Sequence, residues 1–174
     1  MYLVSIYFDE KTNRRIQQYV DKVAEKTGNT FMLDWNVPPH ITISAFETQN
    51  EKWAIEAMGR AVEKLTQGNL EWVSVGQFFP YVIFLVPVLN RYLHDICLYV
   101  NQELSQVDSI KISSYYQTFQ WLPHTTIAKK LSKDEMRIAF EVLQDSFGMF
   151  EGEVVKIGLA KPTPHRDIAT WELR

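Results

Sequence analysis

Apolar and polar positions along the chain alternate between the spacing of strands and that of helices. Residues 2–8 form an aromatic and β-branched run that predicts a buried strand. After this run, Ile16, Val20 and Val23 recur at helical spacing until Gly28, which predicts a helix that ends at that glycine. The chain therefore opens with a strand followed by a helix.

The same alternation continues through the rest of the chain. Helices are predicted from about residue 50 to Gly68, across residues 93–104, and from a capping box formed by Ser132 and Glu135 to the region of Gly148. Residues 109–120 fit neither pattern. The remaining predicted strands are residues 41–46, 70–79, 81–88, 125–128, 153–160 and 166–173.

Two parts of the chain share one layout, which predicts an internal duplication. Residues 40–68 and residues 124–148 each contain a histidine motif, a strand, a helix and a terminal glycine, and a further strand follows. Duplicated units of this kind tend to be related by a pseudo-two-fold axis. Such an axis would bring the same residue of each half to one shared cleft.

Length and composition restrict the class of protein. The chain has 174 residues, 46% of them hydrophobic, which suits one good core and predicts a single domain over residues 1–174. Lys and Arg total 18 against 21 Asp and Glu, giving a net charge of -3. This balance excludes a polycationic surface for long nucleic acid, so any recognition of phosphate is local.

The apolar segments favour a protein that is neither exported nor inserted in a membrane. The N-terminal run lacks the basic segment and the cleavage site of a signal peptide. The later apolar run, residues 81–89, is interrupted by Pro87 and is much shorter than the roughly 20 residues of a membrane-spanning helix. The single cysteine, Cys97, excludes an internal disulfide and suits a reducing compartment. We expect a cytoplasmic monomer with no membrane partner.

Two short motifs carry the strongest chemical signal. Residues 39–43 are Pro-His-Ile-Thr-Ile and residues 123–127 are Pro-His-Thr-Thr-Ile. On a strand, the histidine and the threonine two positions later project from the same face, and the final isoleucine points the other way into the core. From composition alone, the chance of finding two such motifs among four histidines is on the order of one in a thousand. Either motif alone would be a weak signal.

These residue types suit the cleavage of a phosphodiester. The reaction needs a base that deprotonates the attacking water or hydroxyl and an acid that protonates the departing oxygen. Imidazole, with an ordinary pKa near about 6.5, can take either role, so His40 and His124 are the predicted pair and a bell-shaped rate profile with limbs near neutral pH is expected. The hydroxyls of Thr42 and Thr126 are placed to bind the non-bridging oxygens, which completes the predicted catalytic set.

This chemistry requires no cofactor and no metal. The motifs contain no acidic or thiol ligand and therefore offer too few ligands for zinc, although a distant carboxylate would complete such a site. Lys129 is a candidate phosphate contact, and Trp121 and Tyr116 are candidate platforms for a base; solvated or packed positions are the alternative for each. His165, in a turn predicted around Pro164, is a further candidate contact.

The twin His-x-Thr-x motifs resemble those of the two-histidine phosphoesterase superfamily, which includes the bacterial 2′,5′ RNA ligase and cyclic nucleotide phosphodiesterases. Residues 124–129, with Lys129 at the basic position, are similar to the RNA ligase branch, whereas residues 44–46 depart from its basic and bulky residues. The resemblance implies an α+β, bilobal fold of duplicated βα units. Two mainly antiparallel sheets would flank a central cleft, with helices outside and both histidines facing one phosphate.

The function that this resemblance implies is a metal-independent phosphodiesterase. Its substrate would be a small nucleotide or an RNA end with a 2′,3′-cyclic or 2′,5′-linked phosphodiester. RNA ligation or RNA-end processing is the same chemistry on another substrate, and a nucleotide-binding regulatory protein with little turnover is the alternative from a different class. A structural domain with coincidental motifs is the third hypothesis, and the quasi-symmetric motifs leave open which histidine is the acid.

Overall fold

A computed structural model describes residues 1–162 and 165–174. Within these ranges none of the helices combines the length and apolar character that crossing a bilayer requires. The helices are α1 (Glu10–Thr27), α2 (Phe31–Asp34), α3 (Glu51–Val62), α4 (Arg91–Ser105) and α5 (Lys133–Ser146), with a 3-10 turn at Ser114–Tyr116. The strands are β1 (Tyr2–Phe8), β2 (Ile41–Glu47), β3 (Gly68–Phe78), β4 (Val82–Pro87), β5 (Lys111–Ile112), β6 (Thr125–Ala128), β7 (Phe150–Pro162) and β8 (His165–Glu172).

Helices α1 and α5 begin with caps that the sequence encodes. The Asp9 carboxylate accepts hydrogen bonds from the first backbone N–H groups of α1, and Gly28 ends that helix with a left-handed φ of 75°. The capping box predicted for α5 is confirmed, because the Ser132 side chain accepts from the Glu135 N–H and the Glu135 side chain accepts from the Ser132 N–H. Local sequence therefore fixes three of these helix ends.

The end predicted for α3 at Gly68 was wrong, whereas α5 ends two residues before Gly148, near the predicted position. Helix α3 ends at Val62, and the chain turns so that Leu65 still reaches the core, which is why the apolar pattern outlasts the helix. Gly68 instead begins β3. Helix α5 ends before Gly148 because Phe147 leaves the helix in an extended conformation while its N–H still bonds to a carbonyl of α5. No left-handed residue is needed at either place.

Strand β7 joins two groups of antiparallel strands into one eight-stranded sheet. Val154 of β7 pairs with Phe8 of β1 and with Gly68 of β3, so these two strands lie on opposite edges of β7. Strand β8 pairs with β7 over residues 156–162, beyond the part that pairs with β3. The α+β fold of antiparallel strands is confirmed, and the two expected sheets are the halves of one sheet whose strand order is β5-β2-β1-β7-β3-β4-β6.

The two halves of the chain have the same connectivity. One runs β1-α1-β2-α3-β3 and the other β4-α4-β6-α5-β7, with α2, β5 and β8 as additions. In each half the motif strand pairs with the first strand of its own half, and that first strand pairs with the last strand of the other half. The helices pack in the same crossed manner, α1 against α5 and α3 against α4. This connectivity has the pseudo-two-fold arrangement predicted from the repeated layout.

Trp72 is the centre of the packing between the two halves. Its side chain is fully buried on β3, stacks on Phe150 of β7 at 4.8 Å between ring centroids, and meets Phe8 of β1 edge-on at 5.0 Å. Its indole N–H donates to the Thr125 hydroxyl at 3.0 Å, which is a buried hydrogen bond to the second motif strand. One side chain therefore contacts both halves of the sheet and one of the two motifs.

Candidate active site

The first motif strand contains a bulge directly after its threonine. Thr42 of β2 lies opposite Ser5 of β1, but Ser44 lies opposite Val4, so Ile43 is an extra residue without a partner. A bulge interrupts the alternation of faces. Thr42 therefore lies beside its partner Ser5, while the unpaired Ile43 is fully buried in the core.

The second motif strand contains a bulge at the same position. Thr126 of β6 lies opposite Phe84 of β4, and Ala128 lies opposite Ile83, which leaves Ile127 as the extra residue. Ile127 is buried like its counterpart in the first half. The repeated motif thus encodes a repeated backbone shape, in which a buried isoleucine occupies the bulge directly after the threonine.

Both motif histidines are anchored in the same way through Nδ1. The Nδ1 atom of His40 lies 2.7 Å from the Pro38 carbonyl oxygen, and that of His124 lies 2.9 Å from the Leu122 carbonyl oxygen. A carbonyl oxygen only accepts, so Nδ1 carries the hydrogen and Nε2 of each neutral ring keeps its lone pair. In both halves a proline stands between the histidine and its carbonyl partner. Each ring is held in one orientation with Nε2 available for proton transfer.

Burial and the charge of Lys129 act on both imidazoles. Burial is the main cause that lowers the pKa of His40 to about 4, and the charges of His165, Lys129 and His124 act in the same direction. Burial also lowers the pKa of His124, with a further contribution from Lys129. The hydrogen bonds to the backbone carbonyls oppose both shifts. Both rings are therefore neutral at pH 7 in the unliganded protein.

A cleft of about 570 Å³ opens beside the second motif. Tyr116 lines this cleft and forms a hydrogen bond with Thr42, which connects the cleft to the first motif. Burial raises the pKa of Tyr116, and this hydrogen bond opposes that rise. We call this space the His124 cleft. Its lining consists of Phe78, Val82, Tyr115, Tyr116, Gln120, Leu122, His124, Thr126 and Lys129.

Asn101 of α4 holds the segment that carries Tyr116. Its amide nitrogen donates to the Tyr116 carbonyl oxygen at 2.7 Å, and its amide oxygen accepts from the Ser44 hydroxyl at 2.7 Å. Ser44 follows the bulge of the first motif, so a single buried amide ties the motif strand to the wall of the His124 cleft. Periodicity places Asn101 beside an apolar helical stripe and gave no signal of this role.

The structure separates the three candidate substrate contacts. Lys129 and Tyr116 line the His124 cleft, as expected for residues that contact a substrate. Burial lowers the pKa of Lys129, since the walls of the cleft partly desolvate an ammonium group that is otherwise exposed. Trp121 does not line the cleft: it is 7% exposed and packs in the hydrophobic core, where its ring cannot receive a base.

A second group of side chains surrounds His40. The Tyr7 ring lies 6.4 Å from the His40 ring, and the His165 ring lies 6.0 Å from it in a stacked orientation. Tyr7 donates from its hydroxyl to Asp167 Oδ1 at 2.8 Å, and burial, followed by this contact, raises the pKa of Tyr7. The turn predicted around Pro164 lies outside the described residues, and His165 itself begins β8.

Within residues 1–162 and 165–174, no three or more His, Cys, Asp or Glu side chains are grouped so that they could hold a metal ion. Sequence reasoning missed Tyr7 and Asp167 altogether. They come from strands at opposite ends of the chain, and each looks ordinary in its own segment, one in an apolar run and the other in a polar one.

Comparison with solved structures supports the fold at low sequence identity. E. coli LigT in complex with 3′-AMP superposes with a TM-score of 0.65 at 12% identity, covering 99% of this chain and 97% of that one. A phosphoesterase superposes with a TM-score of 0.60 at 10% identity and the same coverage. E. coli LigT in complex with NADP+ gives a TM-score of 0.57 at 12% identity, covering 99% and 96%. These likenesses concern the fold alone.

Family comparison is more specific than the structural likeness. A search of curated proteins finds no match. The profile of the 2′-5′ RNA ligase superfamily, however, matches residues 10–165, a span that includes both histidine motifs. Membership of this group supports the processing of phosphodiesters in general and confirms the resemblance carried by the motifs. The chain therefore belongs to the 2′-5′ RNA ligase superfamily.

Proposed function

We propose that this protein is a metal-independent phosphodiesterase that uses His40 and His124 as an acid and base pair on a small ribonucleotide. Its substrate carries a 2′,3′-cyclic or 2′,5′-linked phosphodiester. The observation that carries this proposal is the equivalent anchoring of the two rings, each held through Nδ1 with Nε2 free, at equivalent positions of the two halves. His124 also lies near enough to His40 for its charge to lower the pKa of His40.

The proposed reaction on a 2′,3′-cyclic phosphate adds one water. One imidazole takes a proton from the water as the water oxygen bonds to phosphorus. The bond between phosphorus and one ribose oxygen breaks, and the other imidazole, which is protonated on Nε2 when the anionic substrate is bound, gives that proton to the departing oxygen. The product is a ribose monophosphate with one free hydroxyl. Thr42 and Thr126 donate hydrogen bonds to the non-bridging oxygens, where negative charge increases in the transition state.

The His124 cleft suits a small substrate. Its volume of about 570 Å³ falls within the range of small-molecule sites. Lys129 supplies one ammonium group and Phe78, Tyr115 and Tyr116 supply aromatic surface, a combination that suits one phosphate and one base. The LigT structures with 3′-AMP and NADP+ support a nucleotide ligand for this fold. The net charge of -3 likewise favours a short substrate or a single RNA end over a long nucleic acid.

Hydrolysis of 2′,3′-cyclic nucleotides in excess EDTA tests the proposal. We expect the wild-type protein to release nucleoside monophosphate at the same rate with and without the chelator. A panel of 2′,3′-cyclic nucleotides, a 2′,5′-linked dinucleotide and a matched 3′,5′-linked dinucleotide defines the substrate. Activity that disappears in EDTA and returns with a divalent ion would contradict a metal-independent reaction.

Other outcomes of the same panel separate the remaining hypotheses. Tight binding of a nucleotide without turnover would replace the enzyme with a regulatory protein. Joining of RNA ends without hydrolysis would replace the phosphodiesterase with a ligase. Neither binding nor turnover across the panel would overturn the proposed function.

The pH dependence of kcat/KM is expected to be bell-shaped and centred below neutral pH. Activity falls on the acid side when the base becomes protonated and on the alkaline side when the acid loses its proton. Because the pKa of His40 is lowered to about 4 and that of His124 is lowered as well, both limbs lie below the range of ordinary imidazoles.

Initial rates from about pH 4 to 9, with chemistry shown to be rate-limiting, measure this profile. The anionic substrate favours protonated imidazoles, so the profile of kcat is expected at higher pH than that of kcat/KM. Circular dichroism at each pH serves as the control for unfolding. A kcat/KM that does not change between about pH 5 and 9 would be inconsistent with the acid and base pair.

A further inference from the structure

The surroundings of the two motif histidines differ, although their backbone supports are equivalent. His40 faces a second imidazole, that of His165, at 6.0 Å between ring centroids with an interplanar angle of 26°. His124 faces two aromatic rings instead, Phe78 edge-on at 4.8 Å and Phe84 at 5.2 Å. The pseudo-symmetry of the fold is therefore broken at the two positions where proton transfer is proposed.

A connected group of side chains holds His165 beside His40. Tyr7 on β1 extends across β7 at Gly158, where an added Cβ would lie 2.8 Å from the Tyr7 ring. The Tyr7 hydroxyl thereby reaches Asp167 on β8, and the oxygen that accepts this hydrogen bond lies 3.8 Å from Nε2 of His165. The two groups are therefore close enough to form an ion pair whenever the His165 ring carries a proton.

His165 is poorly placed to contact a substrate directly. Its side chain is 11% exposed, and its buried Nε2 has no hydrogen-bond partner among the residues that the structure describes. A protonated His165 instead acts on its neighbour, because like charges a few ångströms apart repel and the second proton is disfavoured. The group that experiences this repulsion is His40.

The other charged and titratable groups around His40 do not cancel this effect. His124 and Lys129 face His40 from the second motif, and a positive charge on either one also disfavours its protonation. Tyr7 faces His40 from β1 and has a raised pKa, so it stays neutral. The Lys156 ammonium group lies over the Tyr7 ring, 5.4 Å from its centroid, and is a further positive charge near this group of side chains.

The two aromatic neighbours of His124, Phe78 and Phe84, carry no charge. Lys129 disfavours a proton on either motif histidine, so it does not by itself distinguish them, whereas the charge of His165 acts on His40. His165 therefore favours a single shared proton on His124 over His40.

We propose that His165, supported by Asp167 and Tyr7, is a positioning residue that adds to the effect of burial in disfavouring a proton on His40, so that His40 acts as the base and His124 as the acid. This inference rests on the proposed function for the two roles. The effect of His165 on His40 does not depend on turnover. It extends the site to β8, a strand that carries neither motif.

NMR titration of the histidine ring protons tests the first part of this inference in the unliganded protein. In His165→Phe, which keeps an aromatic ring but removes the charge, we expect the pKa of His40 to rise by about one pH unit, as for loss of a unit charge at about 6 Å in a partly solvated site. The pKa of His124 should move much less. An unchanged pKa of His40, or an equal change at both histidines, would overturn the role of His165.

Asp167→Asn and His94→Phe provide the second variant and the matched control. Asp167→Asn retains the His165 ring but removes the carboxylate beside it, so the pKa of His40 should change much less than in His165→Phe. His94 lies on α4 with its ring 4.2 Å from Phe119 and does not line the His124 cleft, so the same histidine-to-phenylalanine change there should leave both motif histidines unaffected.

The pH dependence of kcat/KM tests the assignment of roles. In His165→Phe the acid limb should move to higher pH together with the NMR titration of His40, while the alkaline limb stays in place. Movement of the alkaline limb alone would assign His40 as the acid and overturn this part of the inference. Absence of turnover in the wild-type protein would instead contradict the proposed function, and the titration would still decide whether His165 controls His40.

Discussion

Replacing either His40 or His124 with alanine is expected to lower kcat on a 2′,3′-cyclic nucleotide by about 10²- to 10⁴-fold, the range of a lost general acid or base. Each ring is the only motif residue with a pKa suited to proton transfer, and its partner cannot reach both sides of the phosphate. The double variant should lose less than the product of the two single losses, because residues that act together are not additive. Steady-state kinetics of the three variants measure these losses.

His94→Ala is the matched control for this prediction. His94 is a partly buried histidine on α4 that does not line the His124 cleft, so its removal should leave kcat within about threefold of the wild-type value. Circular dichroism and binding of the nucleoside monophosphate product establish that each variant is folded. If His40→Ala or His124→Ala kept wild-type kcat, the acid and base pair would be excluded.

Replacing Trp72 with alanine is expected to lower the free energy of unfolding by about 3–5 kcal/mol. The indole is fully buried, contacts Phe8 and Phe150, and donates to Thr125, so the variant leaves a large cavity and an unpaired buried hydroxyl. A loss of this size is a large part of the stability of an ordinary domain. Urea unfolding followed by circular dichroism measures it.

Trp53→Ala is the control for cavity formation. Trp53 lies on α3 with 49% of its surface exposed, so the same change should alter the free energy of unfolding by less than about 1 kcal/mol. Trp72→Phe removes the hydrogen bond to Thr125 but keeps most of the ring, and an intermediate loss is expected. Equal effects of Trp72→Ala and Trp53→Ala would show that Trp72 does not hold the two halves together.

The sequence predicts best those features that depend on neighbouring residues. Strand β1 and the end of α1 at Gly28 follow from local apolar spacing and from a residue that tolerates a left-handed φ. The twin motifs could be predicted as a candidate catalytic set from the sequence, because residue type and strand alternation together place His40 and Thr42 on one face. Local patterns of this kind need no knowledge of what packs against them.

Features that depend on distant contacts were not predictable in the same way. Trp121 is aromatic and close to a motif, yet packing draws its ring into the core, whereas Tyr116 remains in the cleft because Asn101 holds its backbone. The short strand β5 exists only because it pairs with the end of β2. The hydrogen bond from Tyr7 to Asp167 joins the first strand to the last and leaves no periodic signal.

The crossed pairing of strands has a consequence for how the molecule folds. Strand β1 completes its pairing on β7, and β4 completes its pairing on β3, so neither half possesses a finished sheet of its own. An isolated half would expose an unsatisfied strand edge to aggregation. We therefore expect the two motifs to become ordered together, because the sheet that supports each imidazole includes a strand from the other half.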